Sequence, residues 1–183
     1  MADQLFRAWG LDGYHSSATF RVRYCNNPFR AEFERLEVQL VDGKLSGTVD
    51  VTSLRLKSEL FDEIVQGPMF FDSATYKEIA FSSSSIQVDG SNIVVDGELT
   101  MKGITKPVRA TGTIDGPVED FMGKTRLPLT LTATIDRTEF GLNWDKPMPG
   151  GGQALADDVD LIVDVALVAA DEEWPPVRSS SSS

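Results

Sequence analysis

The feature that most constrains the fold of this chain is the alternation of apolar and polar residues along most of its length. This two-residue period is typical of β-strands with one buried face and one face in water. Parallel strands, which are buried on both faces, would instead show continuous apolar runs. The alternation is clearest in residues 18–24, 36–40, 45–51, 93–101, 108–114, 127–135 and 159–167. The sequence therefore predicts an all-β domain of antiparallel strands.

Turn residues fall where antiparallel hairpins need them. Asp42-Gly43 and Asp89-Gly90 separate alternating segments at the spacing of tight hairpins. The alternation continues through Gly97, which predicts a position inside a strand, at a bulge or at a close backbone approach. The parity of the apolar positions switches within residues 83–85, so we expect a one-residue bulge there.

One segment departs from the alternation. In residues 57–65, apolar side chains recur at helical spacing, and Gly67-Pro68 ends the pattern. We expect one or two helical turns there, and a second short helical turn at residues 70–76. About eight strands with one or two short helices is the composition of a small closed barrel, in which no strand edge is left exposed.

The interior of such a barrel is either filled by its own side chains or holds one small ligand. The inward positions mix large side chains with small ones such as Gly47, Ala110, Gly112 and Ala133. Small residues either accommodate bulky neighbours or leave a cavity. The alternation alone therefore leaves a packed interior and a hollow one equally open.

Length and charge narrow the classes of protein. At 183 residues, we expect a single domain whose core needs no disulfide or metal. The 17 basic and 28 acidic residues give a net charge of −11, which disfavours nucleic acid and anionic membrane surfaces as partners. No run approaches the roughly 18 apolar residues that span a bilayer, so we expect no stable membrane insertion.

The first residues of the sequence bear on where in the cell the protein is found. Residues 1–4 lack the positive and apolar regions of a signal peptide. We expect a cytoplasmic location for the chain as given, and a periplasmic or secreted one if a signal has been removed.

Residues for catalysis or metal binding are scarce. His15 is the single histidine, and we interpret it as a structural residue that pins the first strand. Cys25 has no second cysteine to pair with, and we expect it within a strand. No nucleophile elbow, phosphate loop or dinucleotide fingerprint occurs. We predict no catalytic residue, no metal site and no cofactor, and we interpret Arg137 as the ion-pair partner of Glu139.

Several motifs, taken in their order and spacing, resemble the YceI-like family over roughly residues 9–168. The motifs are Asp12-Gly13-Tyr14-His15-Ser16, Phe70-Phe71-Asp72 with Glu78-Ile79-Ala80-Phe81-Ser82, Gly97-Glu98-Leu99-Thr100 with Gly103-Ile104-Thr105-Lys106-Pro107-Val108, and Arg137 with Phe140-Gly141. The chain departs from the family pattern in two places: Tyr24 stands where a histidine is frequent, and residues 61–65 lack a histidine. These departures leave the head group of a ligand undefined.

The resemblance implies a closed antiparallel eight-stranded lipocalin-like barrel, which we place at residues 1–171. The proline and serine residues that follow predict a flexible tail at 172–183. It further implies a non-enzymatic protein that binds, stores or transports an isoprenoid-type ligand, a polyprenyl or quinone tail, inside the barrel. The segment at 57–76 would cap or line the mouth. The expected ligand contacts are Phe20, Val22, Tyr24, Leu36, Val38, Val49, Val51, Phe61, Phe70, Phe71, Phe81, Leu99, Met101, Leu129, Leu131, Phe140 and Trp144.

Three acidic residues near this mouth, Asp62, Glu63 and Asp72, could contact a polar head group, but we favour surface solvation for them. The expected partner is a hydrophobic small molecule, and a homodimer is compatible with the sequence. We expect that Gly112→Phe or Ala133→Phe would reduce ligand capacity without preventing folding.

Two other functions compete with ligand carriage. A packed barrel could act through its acidic surface as a stress-related or protein-interaction module, which would show an exposed apolar patch and no cavity. An enzyme would need an acid–base pair inside the barrel, where the alternation places few carboxylates.

Overall fold

The computed structural model describes residues 2–171, so the tail expected at 172–183 lies outside the described residues. Twelve strands form one sheet. The strands are β1 (Trp9–Leu11), β2 (Ser17–Tyr24), β3 (Asn27–Phe33), β4 (Leu36–Val41), β5 (Lys44–Asp50), β6 (Leu54–Arg55), β7 (Glu78–Asp89), β8 (Asn92–Met101), β9 (Ile104–Ile114), β10 (Val118–Glu119), β11 (Thr125–Asp136) and β12 (Leu155–Ala169). A single α-helix, α1 (Glu59–Gln66), and 3-10 turns at Ala2–Phe6, Val51–Ser53 and Arg137–Phe140 complete the described part.

The sheet closes on itself through β12, which borders β11 on one side and β1 on the other. The closed ring runs β1-β4-β5-β7-β8-β9-β11-β12, and every pairing in it is antiparallel. This confirms the predicted eight-stranded antiparallel barrel. The strands β2, β3 and β6 continue the sheet from the N-terminal half of β12.

Residues 12–16, between β1 and β2, form a turn and not a strand. Hydrogen bonds from side chains hold this turn in place. The Ser16 hydroxyl accepts a hydrogen bond from the Ala166 N–H (3.0 Å) and donates to the Asp12 carbonyl (2.7 Å). The Asp12 carboxylate is fully buried, bonds His15 Nδ1 at 2.7 Å and forms an ion pair with Arg126. His15 is thus structural as predicted, although its partner is this carboxylate.

The local backbone follows the sequence signals at several points. The register of β7 against β8 shifts between Ser83 and Ser85, which confirms the predicted bulge. Opposite it, a Cβ added to Gly97 would lie 2.5 Å from the Ser82 carbonyl oxygen, which confirms the close backbone approach. Asp42 and Gly43 both have positive φ, as a two-residue hairpin turn requires.

Two local expectations were wrong. Cys25 is exposed and occupies the β2–β3 turn with φ 47°, because the two-residue hairpin places it and Asn26 in the left-handed region. Residues 70–76 form hydrogen-bonded turns without a helix, since the Thr75 and Tyr76 N–H groups both donate to the Asp72 carbonyl and the pattern goes no further. The helix expected at 57–65 is present as α1.

The buried apolar residues form two clusters along the barrel. The first includes Phe70 and Phe71 from the segment after α1, together with Phe20 and Phe33. The second includes Leu5 and Trp9 from the N-terminal segment, together with Leu127. The interior of the barrel is hollow between these two clusters.

Candidate ligand cavity

An apolar cavity of about 150 Å³ lies inside the barrel. Its walls come from both core clusters, for example Leu99 and Met101 from the first and Leu129 and Leu131 from the second. None of its lining residues, all within the described part of the chain, carries a charged side chain. The choice that the alternation left open between a packed and a hollow interior is thereby resolved: the barrel is hollow.

Small side chains account for the space. Ala18, Gly47, Ala110 and Ala133 all line the cavity, each on a different strand. In a filled eight-stranded barrel, such positions would be offset by larger neighbours that reach the axis. Here several small residues line the same cavity, and larger neighbours do not fill the room they leave.

A smaller void of about 40 Å³ lies beneath the segment that follows α1 and is lined by Phe70 and Phe71. Four residues line both this void and the large cavity. They are Phe33, Ile79, Met101 and Leu161. The two spaces are thus neighbours separated by the side chains of these four residues, which we call the partition.

The structure brings most of the expected ligand contacts to these two spaces. Those at the large cavity are Leu36, Val38, Val49, Phe81, Leu99, Met101, Leu129 and Leu131. Those at the smaller void are Phe20, Val22, Phe70 and Phe71, with Met101 shared.

The other five expected contacts line neither space. Tyr24 and Phe61 pack against each other with ring centroids 5.6 Å apart. Val51 and Phe140 are buried in the first core cluster, and Trp144 is half-buried against it.

Sequence reasoning missed many of the residues that line the two spaces, among them the large side chains of Phe33 and Ile79. Phe33 belongs to β3, where Phe29, Ala31 and Phe33 alternate with polar residues. That alternation was the available signal, although Pro28 at the start of the strand obscured it. Ile79 is the second residue of β7. The bulge between Ser83 and Ser85 exchanges the inward and outward positions in the rest of this strand.

The expectation that Gly112→Phe would leave the fold intact was wrong. A Cβ added to Gly112 would lie 1.8 Å from the Thr130 carbonyl oxygen on β11. The backbones of β9 and β11 approach too closely here for any side chain, and Gly112 does not line the cavity. Ala133 does line it, so the corresponding expectation for Ala133→Phe stays a prediction.

Arg137 is structural, as interpreted, but not through Glu139. Its guanidinium is only 2% exposed and donates to the carbonyls of Ala156 (2.8 Å), Trp144 (3.1 Å), Leu155 (3.1 Å) and Leu142. Its acidic partner is Asp157, at 3.2 Å. Burial lowers the pKa of Arg137, against the opposing effect of nearby carboxylates. The side chain therefore fixes the loop after β11 to the start of β12.

We call α1 together with residues 67–76 the cover segment. Several hydrogen bonds hold this segment to the barrel. Lys102 Nζ donates to the carbonyls of Pro68 (2.7 Å) and Gly141 (2.9 Å). The Met69 carbonyl accepts from the Asn143 and Trp144 N–H groups at 3.1 and 2.9 Å. Because Phe70 and Phe71 line the smaller void, the cover segment closes that end of the interior.

Within residues 2–171, no group of three or more His, Cys, Asp or Glu side chains is arranged to hold a metal ion. In the same range, every helix is too short or too polar to traverse a lipid bilayer.

The fold and the cavity together define a class of protein: a closed antiparallel β-barrel that contains an uncharged apolar cavity and has a covered end. The chain belongs to the YceI-like family, since the model of the YceI-like domain matches residues 9–167.

Individual relatives are consistent with this membership. Protein YceI of Escherichia coli O17:K52:H18 (strain UMN026 / ExPEC) is 26% identical over 162 residues, which are 84% of this chain and 82% of the relative. The crystal structure of Burkholderia cenocepacia BcnA superposes with a TM-score of 0.72 at 23% identity, over 85% of this chain and 98% of the other. A polyisoprenoid binding domain from Saccharophagus degradans, implicated in plant cell wall breakdown, gives a TM-score of 0.67 at 14% identity, over 89% and 99%.

Proposed function

We propose that the protein binds a long apolar ligand of the isoprenoid type, a polyprenyl or quinone tail, inside the barrel and stores or transports it without reacting with it. The observation that carries the proposal is the uncharged cavity between the two core clusters. Each CH₂ group moved from water into such a space contributes about 0.8 kcal/mol, so a long tail needs no polar contact to be retained. The similarity to a polyisoprenoid binding domain supports this ligand class.

The absence of reaction follows from the walls of the cavity. Proton transfer needs an acid or a base within hydrogen-bond reach of the substrate. The residues that line the large cavity offer only apolar side chains and the hydroxyls of Thr19, Ser46 and Thr48. We infer that the protein has no enzymatic activity on a molecule held there.

The ligand in this proposal contacts the expected residues that line the two spaces. The cover segment has to move for entry, because Phe70 and Phe71 are 7% and 5% exposed and close one end. The partition has to rearrange if the tail is to occupy both spaces.

The direct test is solvent extraction and mass spectrometry of the purified, never-denatured protein. We expect a polyprenyl, quinone or similar long-chain species in stoichiometric amount, or uptake of an added isoprenoid. An empty extract together with no uptake would contradict the proposal and favour the acidic surface as the functional part.

A matched pair of variants on β9 tests whether the ligand lies inside the barrel. Ala110 lines the cavity, and its neighbour Thr111 is exposed on the outer face. Ala110→Phe should reduce uptake severalfold while Thr111→Phe leaves it unchanged, because the added ring fills the cavity only in the first. Equal uptake by both folded variants would contradict an internal site.

The homodimer stays a separate prediction, which light scattering of the purified protein tests.

A further inference from the structure

Large apolar side chains are exposed to solvent on the cover segment and beside it. Leu60 and Met69 of this segment are 63% and 57% exposed, and Tyr76 and Ile104 are exposed as well. Single apolar side chains on a protein surface are common, whereas a group of neighbouring ones marks a surface that contacts a partner. The contacts of these side chains show that three of them are neighbours.

Tyr76 and Ile104 meet at the turn between β8 and β9. A Cβ added to Gly103 in this turn would lie 2.8 Å from Tyr76 Cε1, so the tyrosine ring packs against the turn. Ile104 is the next residue and begins β9. Both apolar side chains are therefore exposed at the same corner of the barrel, next to the cover segment to which Tyr76 belongs.

Met69 is joined to the same corner through Lys102. Lys102 Nζ donates to the carbonyl of the residue that precedes Met69 (2.7 Å) and to the Gly141 carbonyl (2.9 Å). Ile104 Cδ1 lies 3.8 Å from the position of a Cβ added to Gly141. Met69 and Ile104 therefore both adjoin groups that this lysine binds. We call Met69, Tyr76 and Ile104 the apolar rim.

The apolar rim is connected to the closure of the interior. Met69 is exposed, whereas the next two residues, Phe70 and Phe71, are buried and line the smaller void. Three consecutive residues thus lead from solvent to the inside of the barrel. A displacement of Met69 away from the barrel would draw Phe70 and Phe71 with it and open this end.

Charges of both signs flank the apolar rim. Lys77 and Lys106 lie within two positions of a rim residue, and within residues 2–171 neither forms an ion pair or a side-chain hydrogen bond. The same holds in that range for two exposed acids, Glu63 on α1 and Glu78. Asp62 differs, because its Oδ1 is shielded from solvent, so the expected solvation is wrong for this oxygen.

These free charges fit a zwitterionic phospholipid surface. Each head group of such a surface carries a phosphate, which a lysine can contact, and an amine, which a glutamate can contact. Exposed apolar side chains beside lysines are typical of segments that lie at the boundary between water and lipid. The net charge of −11 disfavours a bilayer that is itself anionic.

The proposed ligand points to the same surface. Each CH₂ group that leaves lipid for water costs about 0.8 kcal/mol, so a long isoprenoid chain stays in a lipid phase until a protein meets it there. A barrel that takes up such a chain has to receive it directly from lipid.

We propose that the apolar rim docks on a zwitterionic phospholipid bilayer, and that docking draws Met69 into the lipid, withdraws Phe70 and Phe71 from the void and lets an isoprenoid chain pass into the barrel. This inference rests on the proposed function for its cargo, whereas the docking itself is measured without a ligand.

The first test is flotation of the purified protein with phosphatidylcholine vesicles that contain no isoprenoid. We expect the wild-type protein to float with the vesicles. The double variant Met69→Ser with Ile104→Ser should lower the partition coefficient about tenfold, because two side chains no longer bury apolar surface in lipid. Replacing part of the phosphatidylcholine by phosphatidylglycerol should weaken the binding of the wild type.

A matched double variant serves as the control. Phe121 and Met122 are exposed in the loop before β11, at the opposite end of the barrel. Phe121→Ser with Met122→Ser should leave flotation unchanged, and thermal unfolding checks that both double variants are folded. Equal losses in the two variants would overturn docking through the rim. Failure of the wild type to float would overturn docking on lipid and leave the rim to a protein partner.

The second test follows the transfer of a labelled C20 isoprenoid alcohol to the protein. The rim variant should take up the alcohol severalfold more slowly from vesicles than the wild type does, and at the wild-type rate from a soluble cyclodextrin complex. Equal rates from vesicles would overturn the link between docking and opening. Uptake from cyclodextrin without flotation would leave the proposed function standing and overturn docking alone. No uptake from either source would contradict the proposed function, whatever the result of flotation.

Discussion

At the scale of single residues, charge buried inside an otherwise apolar barrel is used to hold segments in place. Asp12 and Arg126 are 114 positions apart in sequence and form an ion pair at the end of the barrel opposite the cover segment. The carboxylate is 0% exposed and the guanidinium side chain 14% exposed. Arg126 also forms an ion pair with Asp120 at 2.6 Å. One side chain therefore joins β11 both to the turn between β1 and β2 and to the loop before β11.

Removing this guanidinium should destabilise the protein strongly. We expect Arg126→Met to lower the free energy of unfolding by about 3 kcal/mol or more, because it leaves a buried carboxylate without its main counter-charge. The measurement is urea denaturation at neutral pH. The control is Arg21→Met, which removes an ion pair with Asp160 whose side chains are 48% and 28% exposed and should cost less than about 1 kcal/mol. Similar losses in the two variants would contradict the structural role of the buried pair.

At the scale of strands and turns, the alternation predicted most of the barrel because period two is a local property. The bulge in β7 could also be predicted, because the apolar residues change from one set of alternate positions to the other. The close approach at Gly97 could be predicted because the alternation continues through this glycine. The pairing of Arg126 with Asp12 and of Arg137 with Asp157 could not be predicted, since these partners are 114 and 20 positions apart in sequence. The hollow interior could not be predicted either, because it depends on which small residues from different strands line the same space in the closed barrel.

The close contact between β9 and β11 gives a prediction for the addition of one methyl group at Gly112. Gly112→Ala should cost about 3 kcal/mol of stability, because its Cβ would overlap the Thr130 carbonyl oxygen and push the two strands apart. Gly10→Ala is the control, since a Cβ there meets no atom within 4 Å and the backbone is not in the left-handed region. Thermal unfolding of both variants checks this, and equal midpoints would show that β9 can shift at little cost.

The attachment of the cover segment gives another prediction. Lys102→Met should remove both hydrogen bonds to Pro68 and Gly141 while keeping the length and packing of the side chain. We expect faster amide hydrogen exchange in residues 67–76 and faster ligand uptake, with little change in global unfolding. Lys44→Met, at an exposed lysine of β5, is the control. Unchanged exchange in both variants would show that the Lys102 hydrogen bonds do not hold the segment.

At the scale of the whole molecule, many carboxylates are held by specific donors, and this sets the response to acid. Burial alone would raise the pKa of Asp12, but hydrogen bonds from Arg126, His15 and the Tyr14 N–H outweigh it and hold the pKa below the usual 3.8. The Thr52 hydroxyl, with Arg35, lowers the pKa of Asp50 in the same direction.

A lowered pKa in the folded state stabilises the protein above the unfolded value, and that contribution is lost as the pH falls through the folded value. We therefore expect a nearly constant unfolding temperature from neutral pH to about pH 5 and a decline as the pH falls below about 4. Calorimetry across this range measures it. Asp12→Asn should be less stable at neutral pH and should decline less steeply in acid. An unfolding temperature that rises on acidification would contradict this sign.

The partition of Phe33, Ile79, Met101 and Leu161 has a consequence for which molecules such a barrel retains. A short chain can fill the larger space and leave these four side chains undisturbed. A longer one gains about 0.8 kcal/mol for each further CH₂ only after the side chains have moved aside, and unbranched Met101 is the most adaptable of them. Affinity should thus rise with chain length in two stages separated by a threshold. A barrel built in this way sorts its cargo by length at the partition, independently of whatever group the chain carries at its end.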